Sequence, residues 1–177
     1  MGRAFVFGYG SLLEAGEGRP CRLPGHRRVW GVAMDNRRTL PGYKYYLEPD
    51  GSRPEVFVAF LDLVREPGAA VDGVVFAVPD LGAVDARERN YARVEVTGSL
   101  EADLGGPVWA YSGLGEARER YARARAAGSA VVARAYLEGV RAGFAAYGLA
   151  FDTVPEVPVV DLDRVDVPLT DTVHRRR

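Results

Sequence analysis

The sequence predicts an α+β domain, a small mixed β-sheet with helices packed against it. Three observations carry that expectation. β-prone, alternating stretches recur as far as Tyr111, and the two long helical patterns are confined to residues 115–147. No internal repeat, low-complexity tract or convincing domain boundary interrupts them, so residues 1–169 read as one domain.

The elements follow in order. Phe5, Val6 and Phe7 form a short apolar run with β propensity, and residues 15–20 read as a flexible connector. Residues 29–34 read as a strand whose basic approach, Arg22, His26, Arg27 and Arg28, is expected to be a solvated strand end. The Leu40-Pro41-Gly42 turn leads to an aromatic strand over 43–47, and Pro49-Asp50-Gly51 is a second turn. Residues 55–63 alternate as a half-buried strand does, 64–71 read as a surface loop, and 72–78 as the next strand. Asp80 is a natural N-cap for a short helix from Leu81 to about Glu88. Strands are expected again over 91–97 and 108–111, bringing the count to six or seven. A helix rich in arginine and alanine spans 115–127. A second spans 129–147, with Val132, Tyr136, Val140, Phe144 and Tyr147 on one stripe and Gly148 at its end. Pro155, Pro158 and Pro168 dictate an extended strap, and residues 170–177 are expected to be a disordered tail.

Composition narrows the chemistry. A chain of 177 residues buries roughly 70% of its unfolded surface. With a net charge of −1 it has no global field pulling it towards nucleic acid or an anionic membrane. No apolar run is long enough to span a bilayer, and the N-terminus leads straight into a core strand without a signal peptide. A cytoplasmic protein with no membrane or nucleic-acid partner is the expectation. Cys21 is the only cysteine, and His26 and His174 are the only histidines, so neither a disulfide nor a metal site is expected. Carboxylates, backbone donors and tyrosines remain to carry any reaction.

The run Phe-Val-Phe-Gly-Tyr-Gly-Ser-Leu, residues 5–12, ends an apolar strand in Gly-x-Gly. Such a turn aims consecutive N–H groups into one concavity, which suits an anionic or carbonyl oxygen. Glycine at 8 and 10 is expected to supply positive φ and a close approach of ligand. Leu13 stands where a dinucleotide fingerprint or a hydrolase elbow needs glycine, and no lysine completes a P-loop. An ordinary strand-to-turn corner would carry the same spacing.

A second constellation is the segment from Val84 to Tyr91. In a helix from Leu81, positions 81, 84 and 88 share one face, which places Glu88 on an apolar stripe. Desolvation there would raise its pKa towards neutrality, as a general base requires. Pairing with a neighbouring arginine at a frayed helix end is the structural alternative.

Phe-Gly-Tyr-Gly-Ser-Leu resembles the signature loop of the γ-glutamylcyclotransferase-like family. Asp85, Arg87, Glu88 and Tyr91 are similar to that family's catalytic-glutamate segment, with Val84 where leucine is usual. Weaker likenesses lie in Gly73-Val74-Val75-Phe76, in Trp109-Ala110-Tyr111, and in the last helix around Tyr136-Leu137. The resemblance implies a barrel-like sheet and release of 5-oxoproline from a γ-glutamyl amide without a cofactor. The substrate's α-amine attacks its own γ-carbonyl, with Glu88 as general base and acid. By the same resemblance Tyr9, Gly10, Ser11 and Leu12 hold the glutamyl group and Tyr136 lies near it. Asp85 and Arg87 are expected to be supporting or surface groups. Two alternatives stay open: a non-catalytic member that binds a small metabolite, and an enzyme removing a γ-glutamyl protecting group from a biosynthetic intermediate.

Overall fold

The structure, a computed structural model, describes residues 4–14, 17–101 and 103–169. Strand β1 (Ala4–Gly8) is followed by a 3₁₀ turn (Ser11–Glu14), then by two long strands, β2 (Arg19–Asp35) and β4 (Phe57–Val78), with β3 (Lys44–Leu47) between them. Helix α1 (Leu81–Arg87) precedes the hairpin of β5 (Tyr91–Glu95) and β6 (Val108–Gly113). Helix α2 (Gly115–Ala126), β7 (Ala130–Ala133) and helix α3 (Arg134–Ala146) follow, and the strap contributes β8 (Val159–Val160) and β9 (Asp163–Asp166). Among the described residues no helix is long and apolar enough to cross a membrane. The expected tail, residues 170–177, lies outside the described residues.

The main sheet runs β5-β6-β1-β4-β7-β8, with β2 also paired to β4, and β3 and β9 form a second, two-stranded sheet. The path is open at β5 and β8, so the barrel-like sheet does not close, and the fold is the expected α+β sheet with three helices. Strand β4 organises it. One edge pairs with β2 over most of its length. On the other edge β1 takes one end, from Gly8↔Val74 to Ala4↔Val78, and β7 takes the opposite end through Phe57↔Ala130 and Val58↔Val131. Between them, among the described residues, no strand pairs with that edge.

Several expectations are corrected. Residues 64–71 are not a loop: β4 runs through them, and Pro67-Gly68 is absorbed as an irregularity opposite Gly25, where the register shifts between Pro24 and His26. Positive φ at Gly68 and Gly25 gives the two strands the bend that this insertion needs. Arg19 and Pro20, expected in a connector, open β2. The last helix starts at Arg134 rather than Ser129, because Ala130–Ala133 are buried on both faces as a parallel strand between β4 and β8. Fully buried strands lose the alternation that distinguishes them from helix. Gly128 closes α2 in the left-handed region, and Gly148 closes α3 the same way, its N–H reaching Ala145 O while Leu149 N–H reaches Phe144 O. Asp80 caps α1 as expected, accepting from Gly82 N–H at 2.8 Å.

The unpaired stretch of β4 is satisfied by side chains. Asp62 is 1% exposed, and its carboxylate accepts from Gly113 N–H at 2.7 Å, Leu63 N–H at 2.8 Å and Arg118 Nε at 2.7 Å. Removing it leaves two buried N–H groups and a cation without their acceptor. Asp62→Ala is therefore expected to lower unfolding stability by about 3 kcal/mol or more. Urea unfolding measures this, and a loss under about 1 kcal/mol, the worth of an ordinary exposed pair, contradicts it.

Candidate active site

Strand β1 buries Val6 and Phe7 completely and delivers Gly8, Tyr9 and Gly10 to the interior. Neither Gly8 nor Gly10 has positive φ, so the expected backbone reason for glycine is corrected to a steric one. A Cβ on Gly10 would meet Leu61 Cδ1 at 3.3 Å and the Tyr136 hydroxyl at 3.5 Å, and one on Gly8 would meet Phe76 at 3.1 Å. The Tyr9 side chain anchors the loop, its hydroxyl donating to Tyr111 O at 2.6 Å. Ser11 opens the 3₁₀ turn, whose first N–H groups have no partner within the turn. The Leu12 side chain joins a small core with Val6, Phe76 and Tyr111, leaving only its backbone for a ligand.

Arg28 holds this loop from behind. It is 8% exposed, its Nη1 donates to Tyr9 O at 3.4 Å and Asp72 O at 3.2 Å, and Asp152 pairs with it at 3.1 Å. Its guanidinium lies over the rings of Phe144 and Phe151, at 4.5 and 4.8 Å. The expected solvated strand end is wrong for this residue. The signal was present in the sequence: counting back by two from Trp30 reaches Arg28 on the same buried face, ahead of the register shift between Trp30 and Val32.

Leu81, Val84 and Glu88 are the half-buried positions from Asp80 to Glu88, as their spacing suggested, and Leu81 and Val84 pack against the core of Val6, Leu12, Phe76 and Tyr111. Helix α1 ends at Arg87 and contains no buried residue, and Glu88 is its C-cap, with φ −92° and ψ 52°. Its side chain continues that half-buried stripe and is 13% exposed. Burial pushes its carboxyl pKa up, opposed by Arg87, Lys44 and Arg164. Arg87 Nε stands 3.6 Å from Oε1, so that pairing exists but is long. Asp85 anchors α1 to the sheet, accepting from the Tyr111 hydroxyl at 2.7 Å and pairing with Arg93 at 3.2 Å.

Tyr136, in the first turn of α3, packs edge-on against Phe60 and Trp30, with ring centroids at 5.0 and 5.9 Å. Its hydroxyl contacts the Leu61 backbone and the Ser11 side chain. Tyr91 reaches the same residue, donating to Leu61 O at 2.6 Å. Burial raises the pKa of Tyr9, Tyr91 and Tyr136, so all three phenols stay protonated at neutral pH.

These groups surround one depression. A narrow recess of about 20 Å³, room for a single water, is lined by Tyr9, Gly10, Ser11, Leu12, Leu61, Glu88, Tyr91, Tyr111 and Tyr136. It adjoins a pocket of about 310 Å³ that shares Ser11, Glu88, Tyr91 and Tyr136 and adds Tyr43, Lys44, Phe60, Arg87, Arg89, Arg164 and Asp166. All six residues singled out from sequence thus line the recess. Lys44 and Arg164 were missed. They come from β3 and β9, whose pairing is long-range and has no local signal. Burial lowers the Lys44 pKa to about 8. Among the described residues no three His, Cys, Asp or Glu side chains gather as metal ligands would.

No family model matches the chain, and no curated protein matches it. Solved structures do. A γ-glutamyl cyclotransferase aligns over 88% of this chain and 93% of its own at 15% identity, with a TM-score of 0.51. An uncharacterized protein from Homo sapiens aligns over 89% and 94% at 15% identity, with a TM-score of 0.52. YkqA from Bacillus subtilis, at 16% identity and a TM-score of 0.52, aligns with 87% of this chain but 51% of its own. The likeness establishes the fold.

The raised pKa of Glu88 has a sign. Ionising it costs the folded state more than the unfolded one, so wild-type stability falls as pH rises from the ordinary value of 4.5 through the raised folded value. Glu88→Gln does not titrate. Its melting temperature is expected to match wild type below pH 4.5 and to exceed it at neutral pH. A variant less stable than wild type at neutral pH would mean that the Arg87 pairing outweighs the burial.

Proposed function

We propose that this chain, which has the fold of the γ-glutamylcyclotransferase-like proteins, releases 5-oxoproline from a γ-glutamyl amide. The supporting observation is that Glu88, a buried carboxylate with a raised pKa, lines the same recess as the Tyr9–Leu12 loop. A base and a set of backbone donors then face one reacting centre, which is the arrangement that acyl transfer needs.

The reaction is intramolecular. Glu88 takes a proton from the substrate's α-ammonium, and the freed amine attacks the γ-carbonyl carbon, closing a five-membered ring. Loop N–H groups hold the oxygen that becomes negative, replacing water with fixed dipoles. As the tetrahedral carbon collapses, the bond to the leaving amine breaks and Glu88 gives its proton to that nitrogen. Glu88 then takes the second proton from the ring nitrogen, and the released amine finally carries that proton away as its ammonium. Nothing becomes bound to the enzyme, so no nucleophilic side chain is required. The protein's further contribution is to fold the glutamyl arm so that amine and carbonyl meet. The wall of Tyr136, Phe60 and Tyr91 gives the arm a rigid surface to fold against.

Glu88→Gln keeps the size of the side chain and loses the base. Single-turnover release of 5-oxoproline is expected to fall about 10²–10⁴-fold, or roughly 3–5 kcal/mol of barrier, while substrate affinity changes far less. Near-normal turnover in this variant sinks the mechanism.

The loop is expected to work through its backbone. Gly10→Val drives a branched side chain into Leu61 and Tyr136 and should abolish binding of 5-oxoproline, whereas Ser11→Ala keeps the N–H and should be mild. Calorimetric titration of both variants checks this. Greater damage from Ser11→Ala would assign the binding to the hydroxyl instead.

A further inference from the structure

The pocket outside the recess carries an excess of positive charge. Lys44, Arg87, Arg89 and Arg164 line it against Glu88 and Asp166. Three of the four cations are engaged. Arg164 pairs with Asp166 at 2.7 Å, Arg87 stands 3.6 Å from Glu88, and Arg89 donates to Pro41 O at 2.5 Å. Lys44 differs. Among the described residues it makes no hydrogen bond or ion pair, and its ammonium rests over the rings of Phe60 and Tyr43 at 4.4 and 5.5 Å.

A cation in a partly buried pocket whose direct contacts are aromatic faces, with the carboxylates of Glu88 and Asp166 acting on it without a hydrogen bond, is under-solvated. Its pKa of about 8 reports that cost, and it leaves the group mostly charged at neutral pH. A carboxylate from outside would relieve it by a charge-assisted hydrogen bond. Lys44 does not line the narrow recess where the loop and Glu88 meet. It belongs to the outer chamber, on the β3–β9 side, towards which the leaving amine would project if the loop holds the glutamyl end.

Resting on the cyclotransferase reading above, we propose that Lys44 is a specificity-determining residue that anchors a carboxylate on the leaving amine. The preferred substrates are then γ-glutamyl derivatives of amino acids or peptides. γ-Glutamyl polyamines are disfavoured, because their second cation would enter a chamber whose lining cations, Lys44, Arg87, Arg89 and Arg164, already outnumber its carboxylates, Glu88 and Asp166.

The test compares γ-glutamylalanine, its C-terminal carboxamide and γ-glutamylputrescine, probes that differ at the leaving amine. The wild type is expected to prefer the acid over the carboxamide by about ten- to hundred-fold in kcat/KM, the worth of a hydrogen bond to a charged group. Lys44→Met should bring that ratio close to one through the KM of the acid, and Lys44→Arg should keep most of it. The same ratio is read as Kd by calorimetry on Glu88→Gln, which needs no turnover. If no probe releases 5-oxoproline, the cyclotransferase reading fails, and the acid-to-carboxamide Kd ratio still decides the role of Lys44. Equal handling of acid and carboxamide by the wild type overturns the proposal. So does a Lys44→Met defect of equal size on all three probes, which would place Lys44 on the glutamyl end or in the fold.

Discussion

Among the described residues, the edge of β4 opposite β2 has no strand beside it at Leu61–Leu63, and much of the molecule is arranged to compensate. A buried backbone group without a partner costs about as much as a lost hydrogen bond, so the gap must be filled by side chains. Tyr91 and Ser112 donate to the carbonyls of Leu61 and Leu63, Tyr136 contacts the Leu61 backbone, and Asp62 gathers Gly113 and Arg118. These contacts fix β5, β6 and the start of α3 against β4. The depression they enclose is what the missing strand would have filled.

That gap also sets the electrostatics. β1 ends where its pairing to β4 ends, so its terminal loop turns into the gap with its first N–H groups free of partners in the turn. The helix that follows β4 breaks at Glu88 and brings a carboxylate to the same place. Phenols hold the floor, and their own hydroxyls are largely occupied by backbone carbonyls. A carboxylate is thereby desolvated beside neutral donors, and the cations that moderate it stand further out on β3, α1 and β9. Proton transfer is favoured inside, and charge recognition is left to the outer chamber.

How much of this was legible depended on the range of the contact involved. The loop at Tyr9–Leu12 and the capping of α1 by Asp80 are local, and sequence spacing found both. The half-burial of Glu88 was legible from the spacing of Leu81 and Val84, whereas its position as the C-cap just past the helix end was not. The strand at Ala130–Ala133 was hidden because burial on both faces erases alternation. Gly10 was read for φ when its constraint is the nearness of Leu61. Arg28 was legible from period two but was overridden by the expectation that clustered arginines are solvated. Lys44 and Arg164 depend on a two-stranded sheet that joins distant parts of the chain, and no local pattern announces such a pairing.

The central claim is that the substrate's own amine, not water, attacks the γ-carbonyl in the pocket that opens from the recess and shares Glu88 with it. A panel of γ-glutamyl amides incubated with the wild-type protein in ¹⁸O-labelled water, with products weighed by mass spectrometry, tests it most directly. The account predicts 5-oxoproline carrying no ¹⁸O, in equal amount to the released amine. Glutamate labelled in its γ-carboxyl would mean hydrolysis by water, and no product from any amide would mean a binding protein; either result contradicts the account.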